Sequence, residues 1–400
     1  MRKSIFTLFY LLTPFLGLSN TKQTDTDKKN TQDTTPATTA VATPETSEEE
    51  EEKKGAFSFS GYIDSYFSGN LNKPLSRSNV GASETARVFD QRAGQIALGL
   101  AQTMMTYTND KSEVVVDLAF GPNADLANYA NIGTALAIKQ AYFSYNITDK
   151  WSATIGQFGT HIGYEVIDAP VNFNYSLSNL FGMGPFYHTG LKTSYAFSDR
   201  ASLMVGIVNA VDGFGDNNRK KGVIAQLYLS PATNWDVYLN GINTNDEDPD
   251  ANGNVPTAHY RMLDLATTYQ LSEKFLLGAN AAIGSQQYAG ASDSQSWGGF
   301  AGYANLAVSE HFGLGARYEY FDNSKGARAL LDWNGQGTSV NSFTLTGNIT
   351  LADGHVILKP EFRIDAYADR KPGEQQFEDS NGNFTNKSQS TVGVGFIYKF

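Results

Sequence analysis

Tyr145-Asn146-Ile147-Thr148-Asp149-Lys150-Trp151 joins two segments in which apolar and polar residues alternate. Its core returns three times, as Phe197-Ser198-Asp199-Arg200, Leu271-Ser272-Glu273-Lys274 and Val308-Ser309-Glu310-His311. Alternation with period 2 puts successive side chains on opposite faces of a strand, so each core is the tight turn of a hairpin. Between successive tight turns the chain runs through long polar loops. One end of the sheet is therefore tight and the other elaborate. That asymmetry predicts an all-β fold, a transmembrane antiparallel up-and-down β-barrel with short periplasmic turns and long extracellular loops.

From Phe57 onward sixteen strands are expected, at about 57–67, 94–107, 111–121, 135–147, 150–159, 187–197, 200–210, 220–229, 233–243, 259–271, 274–284, 298–308, 311–322, 339–351, 354–367 and 389–400; fourteen or eighteen remain open if one hairpin is misread. Tight turns fall at Asn109-Asp110, Asp149, Asp199, Pro231, Glu273, Glu310 and Asp353-Gly354. An even count then puts both termini at the tight-turn rim. In the last strand Val392, Val394, Phe396, Tyr398 and Phe400 share one face, against Gly393, Gly395 and Lys399 on the other. Val356, Leu358, Pro360, Phe362 and Ile364 likewise oppose Lys359, Glu361, Arg363 and Asp365, and Leu314, Ala316, Tyr318 and Tyr320 oppose Arg317 and Glu319. A charge facing lipid near the midplane costs about 2–4 kcal/mol, less for acids, so these charges point inward and predict a polar, wet lumen. Aromatic residues beside the tight turns, such as Tyr145, Trp151, Phe197, Tyr269 and Phe275, suit the membrane interface; cross-strand packing is the alternative.

Composition agrees. The chain of 400 residues has 38 Gly, 21 Tyr and 25 Phe with 41% hydrophobic residues, as expected where only every second strand residue meets lipid. No apolar run after residue 20 is long enough for a helical span. Residues 1–19 have a basic start at Arg2 and Lys3 and an apolar stretch to Leu18, and read as a signal peptide cut after Ser19. Residues 20–55, rich in Thr, Asp, Lys and Pro and ending in Glu48 to Glu52, read as a disordered periplasmic tail, a solvated spacer or else a tether. Residues 56–400 form the barrel. Cysteine is absent, which excludes a lipoprotein anchor, disulfides and thiolate metal sites. The net charge of −11 favours cations only mildly, because the few charges at the narrowest point decide selectivity.

The third long loop, about 161–186, is rich in Phe, Tyr and Asn, carries Glu165 and Asp168, and leaves through Gly182-Met183-Gly184-Pro185. With its flanks it contains Gly156-Gln157-Phe158, Gly163-Tyr164-Glu165, Asn174-Tyr175-Ser176 and His188-Thr189-Gly190. These motifs and the hairpin rhythm resemble the OmpL-like family of bacterial outer-membrane β-barrel porins. The resemblance implies a passive channel for small hydrophilic solutes and ions, and likeness to general porins implies that the third loop folds inward and narrows the barrel. A constriction of opposed charges would carry a transverse field. Glu165 and Asp168 are its expected negative side and Arg317, Lys359 and Arg363 its positive side, unless Arg317–Glu319, Lys359–Glu361 and Arg363–Asp365 neutralise one another along the wall. The aromatic end at Phe396, Tyr398 and Phe400 resembles the C-terminal signal that the barrel insertion machinery reads. The expected surroundings are outer-membrane lipid and lipopolysaccharide, with a homotrimer as in general porins.

Other functions are weighed against the same residues. Tyr62, Tyr66, Tyr142, Tyr228, Tyr238 and Tyr303 face inward and could stack on saccharides, giving a sugar-selective channel; wall packing is the plainer reading. The long loops could instead serve adhesion or phage docking. Asp248, Asp250 and Asn252 have the spacing that opens a calcium loop, but His259 replaces the bidentate Glu, so no metal or other cofactor is expected. Asp379-Ser380-Asn381-Gly382 resembles an outer-membrane phospholipase segment, yet Glu378 stands where its catalytic His belongs, and no enzyme activity is expected. No phosphate-binding glycine loop or basic nucleic-acid face occurs.

Overall fold

A computed structural model describes residues 55–128, 133–368, 370 and 373–400. The expected signal peptide and all but Gly55 of the expected tail lie outside these residues. The strands are β1 (Ala56–Asn70), β2 (Ile96–Thr108), β3 (Ser112–Phe120), β4 (Ile138–Thr148), β5 (Trp151–Gly159), β6 (Tyr187–Ser198), β7 (Ala201–Val208), β8 (Gly222–Ala232) and β9 (Trp235–Thr244). They continue as β10 (His259–Ser272), β11 (Phe275–Gln287), β12 (Gln295–Ala307), β13 (Phe312–Asp322), β14 (Ser339–Leu351), β15 (Val356–Tyr367), β16 (Phe377–Glu378), β17 (Phe384–Asn386) and β18 (Ser388–Lys399). All but β16 and β17, which pair in a small hairpin of the last loop, form one closed antiparallel barrel of sixteen strands. Two short helices, α1 (Pro122–Ala127) and α2 (Asn179–Gly182), lie in the second and third long loops.

The turn recipe works through its hydroxyl. Thr148 Oγ1 accepts from the backbone N–H of Lys150 at 3.2 Å and of Trp151 at 3.1 Å, and Ser198, Ser272 and Ser309 accept from Arg200, Lys274 and His311 at 3.2, 3.4 and 3.3 Å. A hydroxyl two residues upstream thus satisfies the turn's own amides. The turn expected at Pro231 lies two residues later. β8 runs through Pro231 to Ala232, a register shift follows Leu229, and Asn234 turns the chain with φ 65°. Asn tolerates that left-handed conformation, whereas the proline ring fixes φ near −65°.

Closure pairs β1 with β18. Gly61 and Phe400 exchange two backbone hydrogen bonds of 3.0 Å, and the Phe59 and Phe400 rings lie 5.7 Å apart. No strand edge of the barrel is left open to lipid, where an unpaired backbone group costs several kcal/mol. The outer surface is the apolar face of the alternation: Ile155, Leu263, Ile283, Val392 and Tyr398 are all more than half exposed. Arg317, Glu319, Lys359, Arg363 and Asp365 point inward and are at most 1% exposed. The interior is not uniformly polar, however. Toward the long-loop end, Met204, Val208, Ile224, Ile242, Met262, Trp297, Phe321 and Val340 face inward in one buried apolar cluster with Ile162, Leu180 and Met183 of the third loop. The expected wet lumen is therefore filled there by a dry core. Alternation fixes the face of a side chain; it does not say what covers it.

Leu345 sits at the middle of β14 on the apolar outer face. Leu345→Arg is expected to destabilise the barrel by about 2–4 kcal/mol in lipid vesicles. Urea unfolding reads the change, and an unaltered midpoint would remove this belt from the lipid.

Candidate functional site

The third long loop leaves β5 at Thr160, and its neck closes where the Thr160 N–H donates to the Phe186 carbonyl at 3.0 Å. Between these points its regular structure is one turn of helix, α2, capped by Ser178, whose Oγ accepts from the Phe181 N–H at 3.0 Å. Such a segment carries backbone donors and acceptors that no ladder satisfies. The wall supplies their partners. Arg317 donates to the Ser176 carbonyl, Arg363 to that of Leu177 and Lys359 Nζ to that of Ala169, each at 2.7 Å, and Lys359 also to Asn172. In return, Glu361 accepts from the N–H groups of Tyr175 (2.8 Å) and Ser176 (3.1 Å), and Glu319 from those of Asn179 (2.9 Å) and Leu180 (2.6 Å). Further along, Asp264 takes the Gly163 N–H at 3.0 Å.

The loop's rings fit into notches in the wall. An added Cβ at Gly278 would lie 2.5 Å from the Tyr164 hydroxyl, one at Gly315 2.4 Å from the Phe173 ring, and one at Gly395 2.3 Å from the Tyr175 ring. Any side chain at these inward positions would therefore push the loop off the wall. The first long loop, 71–95, joins in. Arg87 donates to Asp365 at 2.8 Å and to Thr391 at 3.1 Å and also pairs with Asp90, while Phe89 packs on Phe181 and Phe186. Arg328, from the loop after β13, donates to the Met183 carbonyl at 2.8 Å and lies over the Tyr260 ring.

The expected constriction residues are brought together, but in direct contact. Glu165 and Arg317 pair at 2.5 Å, both buried, so no water-filled gap with a field across it separates them. The cause is the loop's depth: it rests on the wall of β13 to β15. Asp168 turns the other way, to Lys139 at 2.5 Å, which also faces Asp117 at 3.3 Å. Of the alternative wall pairs, Arg363–Asp365 forms at 2.8 Å, whereas Glu319 and Glu361 bond to the loop. The tyrosines divide. Tyr62, Tyr66 and Tyr303 are 4% exposed, Tyr66 beneath Tyr175 and Tyr303 stacked on Tyr164 at 4.1 Å, so the loop denies them to a solute. Tyr142, Tyr228 and Tyr238 stay half-buried, the last two with rings 5.1 Å apart.

A continuous arc of wall thus keeps solvent contact inside the barrel. Glu113, Gln140, Tyr142, Thr154, Lys192, Gln226, Tyr228, Asp236 and Tyr238, on β3 to β6, β8 and β9, are half-buried, while Arg317, Glu319, Lys359, Arg363 and Asp365 of β13 and β15 are sealed and Glu361 between them is half-buried. The sequence reading missed Lys192, although its alternation on β6 puts it inward, and missed Lys139 and Arg87. Asp248 and Asp250 face separate partners: Asp248 accepts from Asn217 at 3.0 Å, and Asp250 caps its own turn through the Asn252 and Asn254 amides. Among the described residues no cluster of His, Cys, Asp and Glu could hold a metal. Ser380 lies in the turn of the β16–β17 hairpin, where the preceding Asp379 accepts from the Asn381 and Asn383 amides.

Residues 56–400 match the family described as "Putative beta-barrel porin-2, OmpL-like". No curated protein matches the chain. Among solved structures, the trimer form of OmpT of Vibrio cholerae is 13% identical, with 86% of this chain and 99% of that chain covered and a TM-score of 0.57. The anion-selective porin from Comamonas acidovorans is 10% identical over 87% and 100% of the two chains, TM-score 0.57. The outer membrane channel DcaP of Acinetobacter baumannii is 12% identical over 86% and 97%, TM-score 0.56. At these identities the likeness concerns the fold.

Two measurements probe the loop's attachment. Arg317→Ala leaves Glu165 buried without its cation and is expected to cost about 3–5 kcal/mol, with much of the loss recovered in the double variant Arg317→Ala, Glu165→Ala. Additive losses in urea unfolding would overturn the pairing. Asp212, in the loop after β7, accepts from the Phe186 and Tyr187 amides at the loop's exit, and burial raises its pKa to about 7. Its folded value lies above the usual carboxylate value, so the folded state binds the extra proton between pH 4 and 7. Stability contributed by this group is full below about pH 4 and is lost as pH rises toward 7. Asp212→Asn should flatten that slope in thermal melts; an identical slope would sink the assignment.

Proposed function

Because the chain belongs to the OmpL-like family of β-barrel porins, we propose that it is an outer-membrane channel for passive diffusion of small hydrophilic solutes and ions, with a route that runs beside the third loop. The observation that carries this reading is the arc from β3 to β9, half-buried inside a barrel whose opposite wall is covered by the third loop. Half-buried acids, Glu113 and Asp236, stand on the same arc as Lys192, so the route has charges of both signs and weak ion selectivity. Nothing in this route calls for a catalytic group. The short-turn rim faces the periplasm together with the N-terminal tail and the C-terminus. Phe396, Tyr398 and Phe400, all exposed on β18 and at its end, serve the insertion machinery. The barrel sits among outer-membrane lipid and lipopolysaccharide as a homotrimer, the form in which the similar OmpT of Vibrio cholerae is described.

A second reading has one observation in its favour. Tyr142, Tyr228 and Tyr238 line the open arc, and such rings stack on sugar faces, so the channel would then prefer saccharides.

Planar-bilayer recording of the folded protein with a size series of neutral solutes tests both. A general channel gives small steps that oligosaccharides leave unchanged; a saccharide channel gives current that falls as oligosaccharide is added. Absence of conductance would overturn both and leave the long loops a role in surface docking.

A further inference from the structure

A cation on the outer face of a barrel meets lipid, so it stays only where an anion or water reaches it. Of the Lys and Arg residues in the barrel strands, Lys139, Lys192, Arg317, Lys359, Arg363 and Lys399 face inward. Arg261 of β10 alone faces outward: it is exposed, and its neighbours Tyr260 and Met262 are buried inside the barrel. It stands toward the long-loop end. About 27 Å of strand separate it from Tyr269 at the tight-turn end, or about 20 Å along the membrane normal at the usual tilt, which is the far edge of an apolar band about 25 Å tall. The apolar surface ends just beneath it, where Leu263 is 65% exposed and Ile283, facing it from β11, 66%. At the level of Arg261 the wall turns polar. Asn243 faces it from β9 and Ser285 from β11, and Arg261 Nε donates to Asn243 Oδ1 at 2.9 Å. His259, the next outward residue, has its Nε2 3.3 Å from the hydroxyls of both Ser285 and Ser294. Asn243 thus fixes the guanidinium through Nε and leaves its two terminal NH2 groups without a carboxylate partner among the described residues.

We propose that this patch holds the phosphate of an anionic lipid of the outer leaflet. The terminal NH2 groups of Arg261 fork onto two phosphate oxygens, as guanidinium does with such anions, and the Ser285 hydroxyl donates beside them. The acyl chains then descend over Leu263 and Ile283. Depth and charge together identify the ligand. A headgroup phosphate is the anion that a membrane supplies at this level, and lipid already covers the position against soluble ions. A guanidinium at the edge of hydrocarbon also gains more from an anion than it would in bulk water, because the surrounding dielectric is lower. The assignment rests on the outer-membrane placement of the barrel and is independent of conduction.

The test is native mass spectrometry of the full folded chain in a neutral detergent, titrated with lipid A and with the same lipid stripped of its phosphates. Phosphorylated lipid A should bind about tenfold or more tighter than the stripped lipid. Arg261→Gln should lose about tenfold or more in lipid A affinity and Arg261→Lys less, with heat-modified gel mobility reporting that each variant is folded. Lys221→Gln removes a rim charge already paired with Asp216 and should leave the affinity unchanged. Lipid A held as tightly by folded Arg261→Gln, an equal loss in Lys221→Gln, or no preference for the phosphorylated lipid would each overturn the site. Displacement of lipid A by an equal concentration of inorganic phosphate would overturn the lipid as its ligand. Bilayer conductance separates this site from the channel. A conducting protein whose Arg261→Gln variant binds lipid A unchanged removes the site alone, and a silent protein that holds lipid A through Arg261 removes the channel alone.

Discussion

An irregular loop inside a barrel must find a partner for nearly every backbone N–H and C=O it buries, and this constraint organises the lumen. Water is the ordinary partner of a surface loop, and the third loop leaves water behind. Its carbonyls at Ala169, Ser176 and Leu177 are met by Lys359, Arg317 and Arg363; its amides at Tyr175, Ser176, Asn179 and Leu180 are met by Glu361 and Glu319. Charged partners make stronger hydrogen bonds than neutral ones, and here a few of them satisfy a segment without a ladder of its own. The charges also satisfy each other's burial. Arg317 reaches Glu165 and the Ser176 carbonyl together, and Asp365 is held by both Arg363 and Arg87. A charged wall that suggests a conducting surface in the sequence acts, in the fold, as the seat of a loop.

The barrel was legible because its signals are local and repeated. Period-2 alternation and four Ser or Thr turns placed all sixteen barrel strands within a few residues, and the face assigned to Arg317, Lys359 and Tyr398 is the face they occupy. Pro231 misled the reading because proline commonly marks turns, whereas Asn234 carries the left-handed residue that this turn needs. The site was legible in part. Glu165 and Arg317 belong together, but residues 152 positions apart give no sign of whether they touch or face each other across water. Contact depends on how far the loop descends, and that depends on notches at Gly278, Gly315 and Gly395 whose purpose appears only once Tyr164, Phe173 and Tyr175 are seen in them. The contribution of the first loop had a faint signal in Ala86-Arg87-Val88-Phe89-Asp90, an apolar run crossed by charges in a stretch otherwise read as an outer loop.

The same constraint separates two kinds of lumen charge. Charges of the wall from β13 to β15, all buried but the half-buried Glu361, are committed to loop backbone or to one another, so a substitution among them alters the loop's seat before it alters any ion's path. Lys192 lies outside the loop's seat: its ammonium stands over the Phe158 ring on β5, and it keeps partial exposure inside the barrel. A passing solute senses a charge according to how little protein intervenes and how low the local dielectric is. By that criterion a solute in the lumen would sense chiefly the charges the third loop leaves uncovered, while the inward charges of β13 and β15 hold the loop in place. The loop's seat then sets the channel's character indirectly, by choosing which arc of wall remains open.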